Sequence, residues 1–270
     1  MKKFVALLLA VLMVASLCAC GQKDTQSDTQ TDTQTGSDIK TVTAGKLTMS
    51  TNAQFPPYES VADDGKGYEG TGFEGIDIEI AYALAQKLGL ELVVDDMDFD
   101  SALSAVQTGK SDIVAAGVTV TPERQNTMCF TDSYANGVQV VIVKEGSDIK
   151  SIDDLEGKKI GTQRGTTGYS YCTDDYGEDS VVAFDDGATA VQNLLAGKVD
   201  CVVIDKAPAQ EYVKANAGLT ILDTEYANEN YAIGMAKDNT ALQEALNKAL
   251  AELKADGTIQ SIIDKYIPSK

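Results

Sequence analysis

The sequence predicts a two-lobed α/β protein whose lobes face each other across a shared cleft and are joined by two crossing strands. Two observations carry this reading. Residues 102–114, ALSAVQTGKSDIV, and residues 190–202, AVQNLLAGKVDCV, nearly match. In each, a short helix stops at a glycine and a buried strand follows, so one supersecondary unit is used twice. Gly109, Lys110, Asp112 and Val114 correspond to Gly197, Lys198, Asp200 and Val202. Carried to the strand ends, the same offset pairs Gly117 with Asp205. Ligands of open α/β sheets bind outside those carboxyl ends, so each half delivers one strand to the mouth of its own sheet.

The chain begins with Lys2 and Lys3 and an apolar run from Phe4 to Leu17, shorter than the roughly 20 residues that span a bilayer. Residues 1–19 are read as a signal peptide. Ala19-Cys20-Gly21 resembles the bacterial lipobox, in which a small residue precedes a cysteine that becomes diacylated, and Cys20 is the expected lipid anchor. Residues 20–43 are read as the lipidated cysteine and a flexible linker. From Gln22 to Asp38 there is no apolar side chain, so this stretch cannot bury enough surface to offset its ordering entropy.

The folded part is expected to divide into a first lobe, 44–139 with 230–270, and a second lobe, 140–229. Lys46–Thr51 alternates as a strand, and Asn52–Tyr58 turns through Pro56 and Pro57 beside its end. Residues 75–88 place Ile80, Leu84 and Leu88 at helical spacing before a stop at Gly89. Asp77 reads as the N-cap of that helix and Glu79 as a first-turn acid. Leu90–Val94 is the next strand, and Gln139–Val143 follows the first repeat. In the second half, strands are expected near Lys159–Thr162, Val181–Phe184, Cys201–Asp205 and Leu219–Leu222. Tyr231–Ala236 reads as a strand returning to the first lobe, with the crossings near 138–142 and 226–231. Helices at Thr240–Lys254 and Thr258–Tyr266 close the chain.

Composition excludes several functions. The chain has no histidine, which removes Ser-His-Asp triads, Cys-His pairs and histidine metal sites. There is no GxGxxG or Walker-type loop for a dinucleotide or ATP, and no cofactor or metal is expected. The formal charge is −19, which argues against nucleic acid, where affinity rests on Lys and Arg neutralising phosphates. Cys201 reads as a buried strand residue, while Cys129 and Cys172 have no metal-ligand spacing and stay unassigned.

Thr121-Pro122-Glu123-Arg124 reads as a helix start, with Thr121 as N-cap and Pro122 at the first helical position. Arg124 then sits where the helix dipole disfavours a cation, and an anion at that helix end would satisfy it by a bidentate pair. Asp205 ends an apolar strand and is either a helix cap or the partner of a ligand cation. Arg124 in one lobe and Asp205 in the other offer the opposite charges that a free amino acid's carboxylate and ammonium require. Gln163, Thr166 and Thr167, in the turn GTQRGTT, can present backbone N–H groups and hydroxyls to an anion. Phe55, Tyr58, Phe99, Gly117, Val118 and Thr119 supply apolar faces and small groups at strand ends.

GIDIEIAYALAQKL, together with NAQFPPYES, GVTVTPER, GTQRGTT, KVDCVVIDKAPA and ALAELKADGTIQSIIDKY, resembles the family 3 solute-binding proteins, the polar amino-acid receptors of ABC importers. The resemblance runs in order from about Gly45 to Ile267. It implies the periplasmic-binding-protein fold of type II with two crossover strands as hinge, and a monomer that presents a free L-amino acid to an ABC permease from a lipid-anchored, extracytoplasmic position. It places carboxylate binding on Arg124, helped by Thr119, Gly117 and Thr167, ammonium binding on Asp205, and ring stacking on Phe55, with Phe99 on the other wall. Relatives that take basic ligands often carry an acid where this chain has Asn52, so a neutral or polar ligand side chain is expected, with nearby Glu59 able to reverse that preference. A dehydratase of arogenate or prephenate resembles the same family, but no bond-making chemistry is expected here. A receptor ectodomain is disfavoured by the lack of a later membrane span.

Overall fold

A computed structural model describes residues 39–268. The signal peptide, Cys20 and the tether through Asp38 lie outside the described residues. Chain order begins β1 (Lys46–Thr51), β2 (Gln54–Phe55), β3 (Glu59–Val61), β4 (Phe73–Glu74), α1 (Ile76–Leu88), β5 (Glu91–Asp96), α2 (Phe99–Gln107) and β6 (Ile113–Val114). It continues α3 (Pro122–Thr127), β7 (Met128–Phe130), β8 (Ala135–Lys144), β9 (Ile160–Gln163), α4 (Thr167–Tyr176), β10 (Val181–Phe184) and α5 (Gly187–Leu195). The last elements are β11 (Cys201–Asp205), α6 (Lys206–Ala215), β12 (Leu219–Ile221), β13 (Ala227–Tyr231), β14 (Gly234–Ala236), α7 (Thr240–Ala255) and α8 (Thr258–Tyr266).

The two near-matching segments build two sheets of the same local plan. One sheet runs β5-β1-β6-β14-β7 and the other β10-β9-β11-β8-β12. In both, the repeat strand has a parallel neighbour on one side and an antiparallel one on the other. The equivalence extends to single bonds. Gly109 and Gly197 both have φ of 70°, which glycine adopts without steric penalty. Asp112 accepts from Thr48 N–H at 2.7 Å and Asp200 from Lys159 N–H at 2.8 Å. Each aspartate therefore ties its strand to the strand before it, which is why both repeats keep it.

The sheets are the cores of the two lobes. Central strands are buried on both faces and so read as continuous apolar runs. In β8, Val141 and Val143 pack into one cluster with Val203 and Ile160, while Val140 and Ile142 face another that includes Val202 and Ile204. The lobes are joined by a ribbon in which β13 pairs antiparallel with the first half of β8, Ala227 opposite Gln139 and Tyr231 opposite Ala135.

Several boundaries differ from expectation. The strand expected at Gln139–Val143 runs from Ala135, and the one expected at Tyr231–Ala236 is two strands, β13 in the second sheet and β14 in the first. The crossings consequently fall at 131–134 and 232–233, because ribbon pairing carries the second sheet's ladder several residues further along both connections. Asp77 is not the N-cap of α1. That position is Gly75, and Asp77 lies buried inside the first turn, where it accepts from Gly117 N–H at 2.8 Å. The end of the expected linker is held, since Val42 N–H donates to Asp112 at 2.7 Å.

Candidate functional site

A cavity lies between the lobes. The first lobe contributes Asn52 at the end of β1, Phe55 and Glu59 from the β2–β3 hairpin, Phe99 at the start of α2, and the β6–α3 segment with Ala116, Gly117, Thr119 and Arg124. The second contributes Gln163 at the end of β9, Thr166 and Thr167 at the start of α4, and Asp205 at the end of β11. Phe55 and Glu59 come together because they are cross-strand partners in the hairpin. Gly117 has φ of 56° and a Cβ there would approach Phe55 Cε1 to 3.0 Å, so a side chain at that point is both strained and crowded.

Two residues expected at the site are not on its wall. Val118 points to the opposite side of the chain from Gly117 and Thr119 and is fully buried in the core. Tyr58 lies behind the wall, stacked on Phe55 at 5.9 Å and meeting Tyr231 edge-on at 5.2 Å. It lines a separate cavity with Asn136 and Lys206.

Arg124 occupies the place its local sequence suggested. The Thr121 hydroxyl caps α3 by accepting from Arg124 N–H at 3.1 Å, and the guanidinium turns back into the cleft. Nη1 donates to Thr119 carbonyl at 2.8 Å and Nη2 to Gly165 carbonyl at 3.0 Å. The second bond crosses from one lobe to the other. The guanidinium also lies over the Phe99 ring, 5.4 Å from its centroid, a cation-π arrangement. Burial lowers its pKa, yet a guanidinium stays protonated, so it is a desolvated cation poised for an anion. Gln163 Nε2 donates to Asn52 Oδ1 at 2.9 Å, and Tyr212 O–H to Gln54 carbonyl at 2.8 Å. The lobes are thus latched together around the cavity.

Asp205 holds the N-cap position of α6 but its carboxylate makes no capping bond. It accepts instead from the Tyr231 hydroxyl and lines the cavity, so of its two expected roles the side-chain cap is not seen. Burial, then the Glu229 carboxylate, push its pKa up to about 7. Glu59 is fully buried, with the Asp77 carboxyl as its hydrogen-bonding neighbour and no cationic partner among the described residues. Burial and then Asp77 push its pKa well above the carboxylate range. Asp77 itself is raised by burial to about 6. Arg124 is the only cation on the wall among the described residues, against two carboxylates, Glu59 and Asp205.

Three residues around the site escaped the sequence. Glu229, Tyr231 and Gln139 back the cleft from the β8–β13 ribbon. The alternation in Ala-Asn-Glu-Asn-Tyr was the available signal, because Glu229 and Tyr231 are buried and their neighbours are not. Ala116 also lines the cavity and carries no sequence signal.

Two sheeted lobes latched over a cavity with opposite charges on opposing walls define a receptor for a small polar solute. Residues 47–269 match the bacterial extracellular solute-binding proteins, family 3, and the chain belongs to that family. Membership in a solute-binding family bears out the expectation of an extracytoplasmic binding protein and not an enzyme. The chain is 36% identical over 230 residues to ABC transporter arginine-binding protein 1 of Escherichia coli strain K12, covering 83% of this chain and 92% of that one. It is 32% identical over 231 residues to the L-cystine-binding protein TcyJ of the same strain, 84% of each. A solved ancestral arginine-binding protein bound to glutamine is 40% identical with a TM-score of 0.78, covering 84% of this chain and all of that one.

Proposed function

We propose that the protein is the substrate-binding lipoprotein of an amino-acid ABC importer and closes on a free L-amino acid with a basic side chain, arginine first. One observation carries the choice of ligand: Glu59 is a second carboxylate buried on the cavity wall, in addition to Arg124 and Asp205, and has no cationic partner among the described residues. In this reading Arg124 takes the α-carboxylate with the backbone at Gly117 and Thr167, Asp205 takes the α-ammonium with the oxygen of the Thr119 hydroxyl, whose hydrogen goes to Glu229, and Phe55 and Phe99 sandwich the aliphatic stem. Glu59 is left for the side-chain cation. A zwitterion balances one positive and one negative group, and a second wall carboxylate calls for one more positive charge.

The neutral preference expected from Asn52 gives way on this account. The Asn52 amide is already engaged, donating to Met97 carbonyl at 3.0 Å and accepting from Gln163, so it is a strut between lobes and leaves specificity to Glu59. The names of the arginine-binding relatives support a basic ligand; the cystine-binding relative and the glutamine complex mark the alternatives that a ligand screen must include.

Asp205→Asn is expected to weaken arginine binding by about 30-fold or more, the usual loss when one partner of a buried charge pair is removed. The loss should vanish for arginine lacking its α-amino group. Calorimetry with both compounds on both proteins tests this, and an equal loss for the two would make Asp205 a structural residue.

We further propose that Cys20 is lipidated and that residues 22–38 act as a tether, since that stretch has no apolar side chain. A coil of that length spans on the order of 20–25 Å root-mean-square. Cys20→Ser is expected to move the protein from the membrane to the soluble fraction with its arginine affinity unchanged. Retention of the variant in the membrane fraction would contradict lipid anchoring.

A further inference from the structure

Strand β13 presents Glu229 and Tyr231, two residues apart, on one face. Tyr231 has no exposed surface, and its hydroxyl donates to Asp205 Oδ1. Its ring fills the space over Gly137, where a Cβ would lie 2.4 Å from ring carbons. Glu229 Oε2 accepts from the Thr119 hydroxyl at 3.1 Å and from Gln139 Nε2 at 3.0 Å, while its Oε1 is buried without a partner. The strand is also stitched to the first lobe's wall: Val120 N–H donates to Asn230 carbonyl and Ala232 N–H to Val118 carbonyl, both at 3.0 Å. Thr119 belongs to one wall of the cavity and Asp205 to the other.

We infer that Glu229 and Tyr231 are positioning residues for ammonium recognition: β13 fixes the Thr119 hydroxyl from one lobe and the Asp205 carboxylate from the other at a set spacing, so the two acceptors converge only when both lobes are docked on the ribbon. Neither residue touches the ligand. The inference rests on the proposed ammonium role of Asp205. A carboxylate held by a phenol hydroxyl through one oxygen loses its freedom to rotate. Gly137 is required because a side chain there would displace the Tyr231 ring. The two positioning residues act on Asp205 with opposite sign, the Tyr231 hydrogen bond lowering its pKa and the Glu229 charge raising it. Arg124, Glu59, Tyr58 and Tyr171 also interact with Asp205, and they remain in place when β13 is altered.

The test compares wild type, Tyr231→Phe and Glu229→Gln for L-arginine and for arginine lacking its α-amino group, across mildly acid to mildly alkaline pH. Tyr231→Phe keeps the ring over Gly137 and is expected to weaken arginine on the order of tenfold, as for one hydrogen bond to a charged group. It should leave the deaminated compound unchanged. The pH at which arginine affinity is half lost should rise in Tyr231→Phe and fall in Glu229→Gln, shifts that a purely structural role would not give. Equal losses for both compounds in Tyr231→Phe, or midpoints that do not move apart, would overturn the inference. Should Tyr231→Phe fail to fold, the Glu229→Gln midpoint alone decides, since an unmoved midpoint contradicts positioning. Wild type binding both compounds equally would instead remove the ammonium role of Asp205 and this inference with it.

Discussion

Arg124→Ala is expected to abolish useful ligand binding while the protein remains folded. The guanidinium is the only cation on the cavity wall among the described residues and bonds to carbonyls of both lobes, at Thr119 and Gly165. Removing it deletes the counter-charge of the ligand carboxylate and one latch of the closed form together. Loss of one partner of a buried charge pair corresponds to about 2–5 kcal/mol, or roughly 30-fold to several thousandfold in affinity. Stability should change little, because the desolvation of the guanidinium in the ligand-free cleft is relieved at the same time. Near wild-type affinity by calorimetry would place the carboxylate elsewhere.

Glu59→Gln is expected to weaken arginine on the order of a hundredfold and to bring glutamine and arginine to comparable affinity, since the amide keeps the shape of Glu59 and removes its charge. The same substitution should stabilise the ligand-free protein at neutral pH. Glu59, Asp77 and Asp205 have folded-state pKa values above their unfolded ones, in the last two cases about 6 and about 7. Between the unfolded carboxylate range and those values the folded chain holds protons that the unfolded chain has released, so stability falls as pH rises through that window. The ligand-free protein is therefore expected to melt at a higher temperature in mild acid than at neutral pH, and Glu59→Gln should reduce that slope. Bound arginine favours the ionised carboxylates and should flatten the slope as well, with affinity rising as pH rises. Calorimetric melting of both proteins with and without arginine measures all of this; an unchanged slope in Glu59→Gln would show that Glu59 does not hold the proton.

The features legible in the sequence obey local rules. Gly109 and Gly197 stop helices in the left-handed conformation, Thr121 caps α3, and Asp205 emerges at the end of an apolar run. Each of these depends on residues within one or two turns of itself. Glu59 was legible as a residue near the ligand, and it faces the cavity because the β2–β3 hairpin pairs it with Phe55. What was missed depends on contacts distant in sequence. Asp77 reads as a cap by spacing, yet the β6–α3 segment brings Gly117 N–H to it across the fold. Val118 was grouped with its neighbours although alternation along an extended segment turns it to the other side. The crossings were misplaced because the ladder between β8 and β13 joins Ala135–Gln139 to Ala227–Tyr231, far apart in the chain.

The claim that the closed cleft holds a basic amino acid, with Glu59 as counter-charge, is tested most directly by titrating the purified protein with L-arginine in competition with lysine, glutamine and cystine. Arginine should bind most tightly and displace each of the others, with glutamine weaker by orders of magnitude. Glutamine or cystine binding as tightly as arginine to the wild-type protein would contradict the account and leave the buried Glu59 without the role assigned to it.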